Sequence, residues 1–157
     1  MAGTNCSTPS ARFSDMVTDQ PTLDKILDHD LIGLLTAVDG EGQPQTSPVW
    51  FVRDGEDIVV YNKSDTPRLG SIAANPKVSL SLRGDRRGRG AVLIEGIATR
   101  EPDLPPAKDF PGYVDKYGRE IDRLGWTPES FSSDYSAGIR ITPTRTRAWG
   151  LDALDTR

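Results

Sequence analysis

Turn-forming residues cut this chain into short apolar or alternating runs, and that spacing leaves little room for anything but an antiparallel β fold. The run Leu31–Val38 ends at Asp39-Gly40-Glu41-Gly42, Gln45–Val52 ends at Asp54-Gly55-Glu56-Asp57, and Ile58–Tyr61 follows. Loops this short join neighbouring strands as hairpins, so the first half reads as a three-strand meander. Val78–Leu82 alternates apolar and hydroxyl side chains, as a half-buried strand does. Ala91–Arg100 is a further strand with Gly96 as a candidate bulge, and Ala137–Ile141 with Thr144–Trp149 gives the last, broken at Pro143. Between them the period changes. Residues 21–29 place Leu23, Ile26 and Leu27 on one helical face behind Pro21. Residues 66–74 form a second helix, with Thr66 at the cap, Pro67 at the first position and Asn75-Pro76 as the stop. Tyr113–Leu124 and a stretch near Pro128–Ser133 supply two more. Six strands at hairpin spacing with a few short helices predict a mainly β barrel.

Counting excludes several functions. The chain has one cysteine, Cys6, and one histidine, His29. An intrachain disulfide is impossible, Cys-His and Ser-His mechanisms are removed, and no metal site is expected. A formal net charge of -4 argues against general nucleic-acid affinity. The Arg/Gly stretch 83–90 is a single short copy without aromatics, so it reads as a hairpin loop and not as a nucleic-acid segment. No apolar run approaches the roughly 18 residues of a membrane span, and residues 1–17 lack the apolar segment of a secretory signal. The expectation is a cytoplasmic protein: a single domain over 20–151 between polar tails at 1–19 and 152–157.

Two stretches can carry chemistry. In the first, a strand ends at Tyr61-Asn62-Lys63-Ser64 and a helix opens at Thr66-Pro67-Arg68. Backbone N–H groups at a helix start favour an anion, and Lys63 and Arg68 flank them with charge. Solvated cations beside an ordinary cap are the plainer reading. In the second, Ser47-Pro48-Val49-Trp50-Phe51, a proline interrupts an apolar strand. Either the strand is an edge or a bulge with Trp50 and Phe51 in the core, or one of its faces is left open to a flat ligand. His29 ends the first helix and reads as a capping or solvent-facing residue.

The ordered set from GQPQTSPVWF through VVYNKS and NPKVSL to VLIEGIATR resembles the pyridoxamine 5'-phosphate oxidase-like split-barrel superfamily. SPVWF followed by NPKVSL is most similar to its actinobacterial F420-dependent oxidoreductase branch. The resemblance covers about residues 20–150. It implies an FMN-binding-type split β-barrel with Greek-key connections, forming a homodimer with cofactor sites at the interface. It also implies hydride transfer between coenzyme F420 and a small organic substrate. FMN is the alternative cofactor, and a non-catalytic flavin- or haem-binding protein the alternative function. The cofactor positions carried over are Ser47, Pro48, Val49, Trp50, Tyr61, Asn62, Lys63, Thr66, Arg68 and Trp149, the last because the C-terminal strand approaches the cofactor in this superfamily. No catalytic residue is assigned. The departures concern anion binding: Ser47 and Val52 stand where flavin-mononucleotide members carry an arginine and a lysine. Arg145-Thr146-Arg147 stands near the place of the oxidases' Arg-x-His, without a histidine, which argues against vitamin B6 oxidation.

Overall fold

The computed structural model describes residues 20–84, 87 and 89–151. The two expected tails, Cys6 among them, lie outside the described residues, as do Asp85, Arg86 and Gly88 of the Arg/Gly loop. The elements run α1 (Gln20–His29), β1 (Gly33–Val38), β2 (Pro44–Val49), β3 (Val52–Asp54), β4 (Asp57–Asn62), α2 (Pro67–Ala74), β5 (Lys77–Arg83) and β6 (Ala91–Arg100). A single 3-10 turn (Ala107–Asp109), α3 (Tyr113–Arg123), α4 (Pro128–Asp134) and β7 (Ala137–Trp149) complete the chain. The strands form one antiparallel sheet in the order β2-β1-β5-β6-β7-β4-β3.

That order has a geometric consequence. β2 and β3 lie on opposite edges of the sheet, yet only Trp50 and Phe51 separate them in sequence. Laid flat at about 4.8 Å per strand, the edges of seven strands would stand roughly 29 Å apart. The three peptide steps from Val49 to Val52 reach about 10 Å. The sheet must therefore curl until its edges nearly meet, which gives the split barrel. The run Gln45–Val52, read from sequence as one strand, is one segment serving both edges: its first part pairs with β1 and its end with β4.

Inside the curl, Leu35, Val60, Leu80, Leu82, Val92, Ile94, Ile139 and Ile141 form the main core, closed at one end by Leu23, Ile26 and Leu27 of α1. A second, aromatic core lies outside it, where Val59 and Tyr61 of β4 meet Phe110, Tyr113, Tyr117, Ile121 and Phe131. β4 is thus covered on both faces, which explains why Ile58–Tyr61 is apolar throughout where the other strands alternate.

β7 is continuous through Pro143. The break expected there is a bulge: Gly96 faces Pro143 but Glu95 faces Arg145, so Thr144 is the extra residue. Its Oγ1 donates to the Glu95 carbonyl at 3.2 Å. A Cβ at position 96 would lie 2.7 Å from Ile141 Cγ2 and 2.8 Å from the Thr142 carbonyl oxygen, so the site needs glycine. Gly96→Ala is expected to destabilise the fold by about 1–3 kcal/mol in urea unfolding, the cost of overpacking against backbone. The hydroxyl of Tyr113 is buried without a hydrogen-bond partner. Tyr113→Phe is therefore expected to leave stability unchanged or raise it by about 1 kcal/mol in the same assay.

Candidate functional site

A cleft of about 250 Å³ opens where β2 ends, β4 hands over to α2, and the α3–α4 segment folds across. Pro48, Val49 and Trp50 form one side, and Tyr61, Asn62, Lys63, Thr66 and Arg68 another. Leu124, Trp126, Phe131 and Tyr135 close the third. Eight of the ten residues singled out from the sequence therefore line one cavity. Ser47 stands behind it, its Oγ accepting a hydrogen bond from Arg68 Nη2 at 2.9 Å. Trp149 is not brought to this cleft: it ends β7 opposite Ala91 and is 41% exposed.

The electrostatics of the cleft are unusual in what the cations lack. Arg68 is half-buried, and among the described residues its one hydrogen-bond partner is the neutral Ser47 hydroxyl. Burial holds its pKa below the ordinary arginine value, opposed among the described residues by Tyr135 and by no carboxylate. Lys63 sits 5.6 Å from the Tyr135 ring centroid, and no salt bridge engages it among the described residues. Thr66 occupies the N-cap of α2, yet its side chain makes no capping bond, contrary to the simple capping role. Two cations, an uncommitted hydroxyl and a helix start thus converge on one corner of a cleft that, among the described residues, no carboxylate lines.

The other polar groups are partly committed. Asn62 is buried, its Nδ2 donating to the carbonyls of Val60 and Ala137 at 3.2 and 3.0 Å. Tyr61 donates its hydroxyl to the Pro105 carbonyl at 2.6 Å, and burial pushes its pKa up to about 12, so it stays protonated at neutral pH. His29 caps its own helix as expected, Nδ1 lying 2.7 Å from the Lys25 carbonyl, and does not line the cleft.

A larger groove, about 850 Å³, runs between α1, the β3–β4 turn and the bulged part of β7. Its cations already have acidic partners: Arg53 pairs with Asp24 and Asp28, and Arg145 faces Glu95 at 4.0 Å. The smaller cleft is the better candidate on that ground.

Sequence reasoning missed the third side. None of Leu124, Trp126, Phe131 and Tyr135 is singled out by the motifs of the sequence. The available signal was aromatic density, since Phe110, Tyr113, Tyr117, Trp126, Phe131 and Tyr135 crowd one stretch. In the fold three of them stack with Trp50: Tyr117 against Trp50 (4.6 Å, 5°), Trp50 against Phe131 (5.3 Å, 20°) and Phe131 against Tyr135 (4.6 Å, 8°). Behind Trp50, Lys116 of α3 donates to the carbonyls of Leu27 and Phe51, both at 2.9 Å, with Nζ 3.9 Å from the Phe51 ring centroid.

Residues 20–150 match the family model described as pyridoxamine 5'-phosphate oxidase. No curated protein matches the chain. Among solved structures, a conserved hypothetical protein from Mycobacterium tuberculosis is similar at TM-score 0.70 and 22% identity, covering 89% of each chain. A protein titled F420 reductase is similar at TM-score 0.58 and 24% identity, over 78% of this chain and 94% of that one. The haem storage protein HutZ from Vibrio cholerae is similar at TM-score 0.59 and 18% identity, over 85% and 97%. Identities of this size speak to the fold alone.

Lys116 gives the wall behind the cleft a pH signature. Burial pulls its pKa from 10.5 down to about 8, against the opposing fields of Asp28 and Asp30. Between those values the unfolded chain holds the proton and the folded chain does not, so stability rises with pH across that window. Below it the burial cost is fully present. Measured by urea unfolding against Lys116→Met, the wild-type protein should gain up to about 3 kcal/mol from pH 8 towards 10.5. A difference between the two proteins that stays constant across the window would contradict this assignment.

Proposed function

Because the chain belongs to the pyridoxamine 5'-phosphate oxidase family, we propose that its cleft binds a planar, anionic redox cofactor of the flavin kind, with coenzyme F420 as the first candidate and FMN as the second. The observation that carries this reading is the half-buried Arg68 guanidinium, which lines a cleft where no described residue offers it a carboxylate. Such a group recovers charge-assisted hydrogen bonds only when an anion arrives. Lys63, Thr66 and Arg68 would hold the cofactor's phosphate, while Pro48–Trp50 and the aromatic side offer flat surface to its ring. When bound, the deazaflavin supplies hydride transfer to or from a small organic substrate. The protein's part is to fix the anionic end, orient the ring and keep water from the reacting face. Tyr61, held protonated with its proton on the Pro105 carbonyl, is committed to the wall and is not a proton source.

F420 is preferred because Ser47 and Val52 offer no cation at positions where flavin-mononucleotide members resemble this chain but carry an arginine and a lysine. An F420 reductase among the similar structures is consistent with that preference. Haem storage is disfavoured, since the only histidine, His29, caps α1 away from the cleft. Residues 20–151 act as one domain in this reading. The protein works as a cytoplasmic homodimer whose cofactor sites lie at the interface, which is where Trp149 would contribute, in the partner's site. Among the described residues no helix is long and apolar enough to cross a membrane.

Titration of the purified protein with F420 and with FMN, followed by fluorescence, tests the proposal. F420 is expected to bind in the micromolar range and FMN more weakly; the reverse order would promote FMN. Replacing both Lys63 and Arg68 by alanine should weaken binding at least about a hundredfold, as expected for two charge-assisted bonds, while the far-ultraviolet circular dichroism stays unchanged. Undiminished affinity in that variant would remove the anion corner from the site.

A further inference from the structure

Trp50 owes its place at the cleft to two side chains that do not line it. Trp50 and Phe51 belong to neither strand, so the bend cannot satisfy its backbone through the sheet ladder. Phe51 is fully buried, and an unpaired N–H or C=O there would be costly. α3 supplies the missing partners. The Phe51 N–H donates to the Tyr117 hydroxyl oxygen at 2.8 Å, and that hydroxyl directs its own proton to the Leu31 carbonyl at 2.8 Å or the Phe51 carbonyl at 2.9 Å. Lys116 Nζ donates to the same Phe51 carbonyl and, from the other side, to the Leu27 carbonyl at the end of α1. The Tyr117 ring also stacks on the Trp50 indole, nearly parallel. One side chain thus fixes both the backbone of the bend and the ring it presents.

We infer that Tyr117 and Lys116 are positioning residues: they lock the β2–β3 bend so that Pro48–Trp50 present a preset face to the flat part of the cofactor. The inference rests on the cofactor reading of the preceding subsection. It separates the two ends of the site, because the anion corner is built independently. Lys63, Thr66 and Arg68 come from the β4–α2 connection, Arg68 is oriented by Ser47 of β2, and neither Tyr117 nor Lys116 bonds to any of them. Loosening the bend should therefore damage recognition of the ring and spare recognition of the phosphate.

The test compares the full chain with Tyr117→Phe, which keeps the ring stack and removes the hydroxyl, and Lys116→Met, which keeps the stem over Phe51 and removes the ammonium. Three quantities are read well below the melting transition: F420 affinity by fluorescence, inorganic phosphate affinity by isothermal titration calorimetry, and the exchange rate of the Phe51 amide. In Tyr117→Phe, F420 should bind about tenfold more weakly, as for the loss of one hydrogen bond, with phosphate affinity unchanged and Phe51 exchange accelerated. Lys116→Met should show the same split between F420 and phosphate, and it serves alone if the tyrosine variant fails to fold. Arg68→Ala, by contrast, should weaken both ligands. Wild-type F420 affinity in a variant whose Phe51 amide exchanges faster would overturn the inference, and so would parallel weakening of both ligands, the sign of a merely structural role. A wild-type protein that bound phosphate but neither F420 nor FMN would sink the cofactor reading itself, and this inference with it.

Discussion

Closure of the sheet through a two-residue bend is the constraint from which the rest of the molecule follows. Because β2 and β3 are joined by only Trp50 and Phe51 and lie on opposite edges, the strands between them have one curvature available. That curvature encloses the aliphatic core and leaves β4 buried on both faces. It also forces a gap in the backbone ladder at the point where the edges meet. A gap in a buried ladder must be filled by side chains, and here Tyr117 and Lys116 of α3 fill it. The candidate site forms at the same seam, so closing the barrel and shaping the cleft are one event.

The cleft joins two environments that seldom meet without a ligand. One end is a stack of parallel rings running from Tyr117 through Trp50 and Phe131 to Tyr135. The other holds Lys63 and Arg68 without an acidic partner among the described residues, although the chain as a whole carries net negative charge. The wider groove across the molecule shows the contrast, since its Arg53 is clamped between two aspartates. A half-buried arginine whose one hydrogen-bond partner among the described residues is a serine hydroxyl sacrifices solvation for a modest internal gain. That imbalance fits an external anion better than it fits a structural role.

The order and type of the elements were legible from local chemistry. Gly/Asp turns, the Pro67 helix start and the Asn75-Pro76 stop act over a few residues, so their meaning survives without knowledge of the fold. The tight corner from Tyr61 to Arg68 was legible for the same reason: a strand end, cations and a helix start adjoin in sequence. Reading Gln45–Val52 as one strand failed to reveal the bend, because nothing local marks which edge each half will join. The expected break at Pro143 proved to be a bulge for a related reason. Whether a proline interrupts a strand or is absorbed by an extra residue depends on the strand opposite, here Gly96 of β6. Trp149 was linked to the cofactor through resemblance alone, and within one protomer the fold leaves it away from the cleft.

By itself, then, the sequence determined a mainly β chain with short helices, a cationic strand-to-helix corner, and a count of one cysteine and one histidine, all properties of residue type and short-range spacing. Only the tertiary structure decided that the corner would face an aromatic side delivered from residues 124–135, and that Arg68 would meet the Ser47 hydroxyl and, among the described residues, no carboxylate. Both depend on contacts between segments tens of residues apart, whose meeting is set by sheet order and closure and by no local preference.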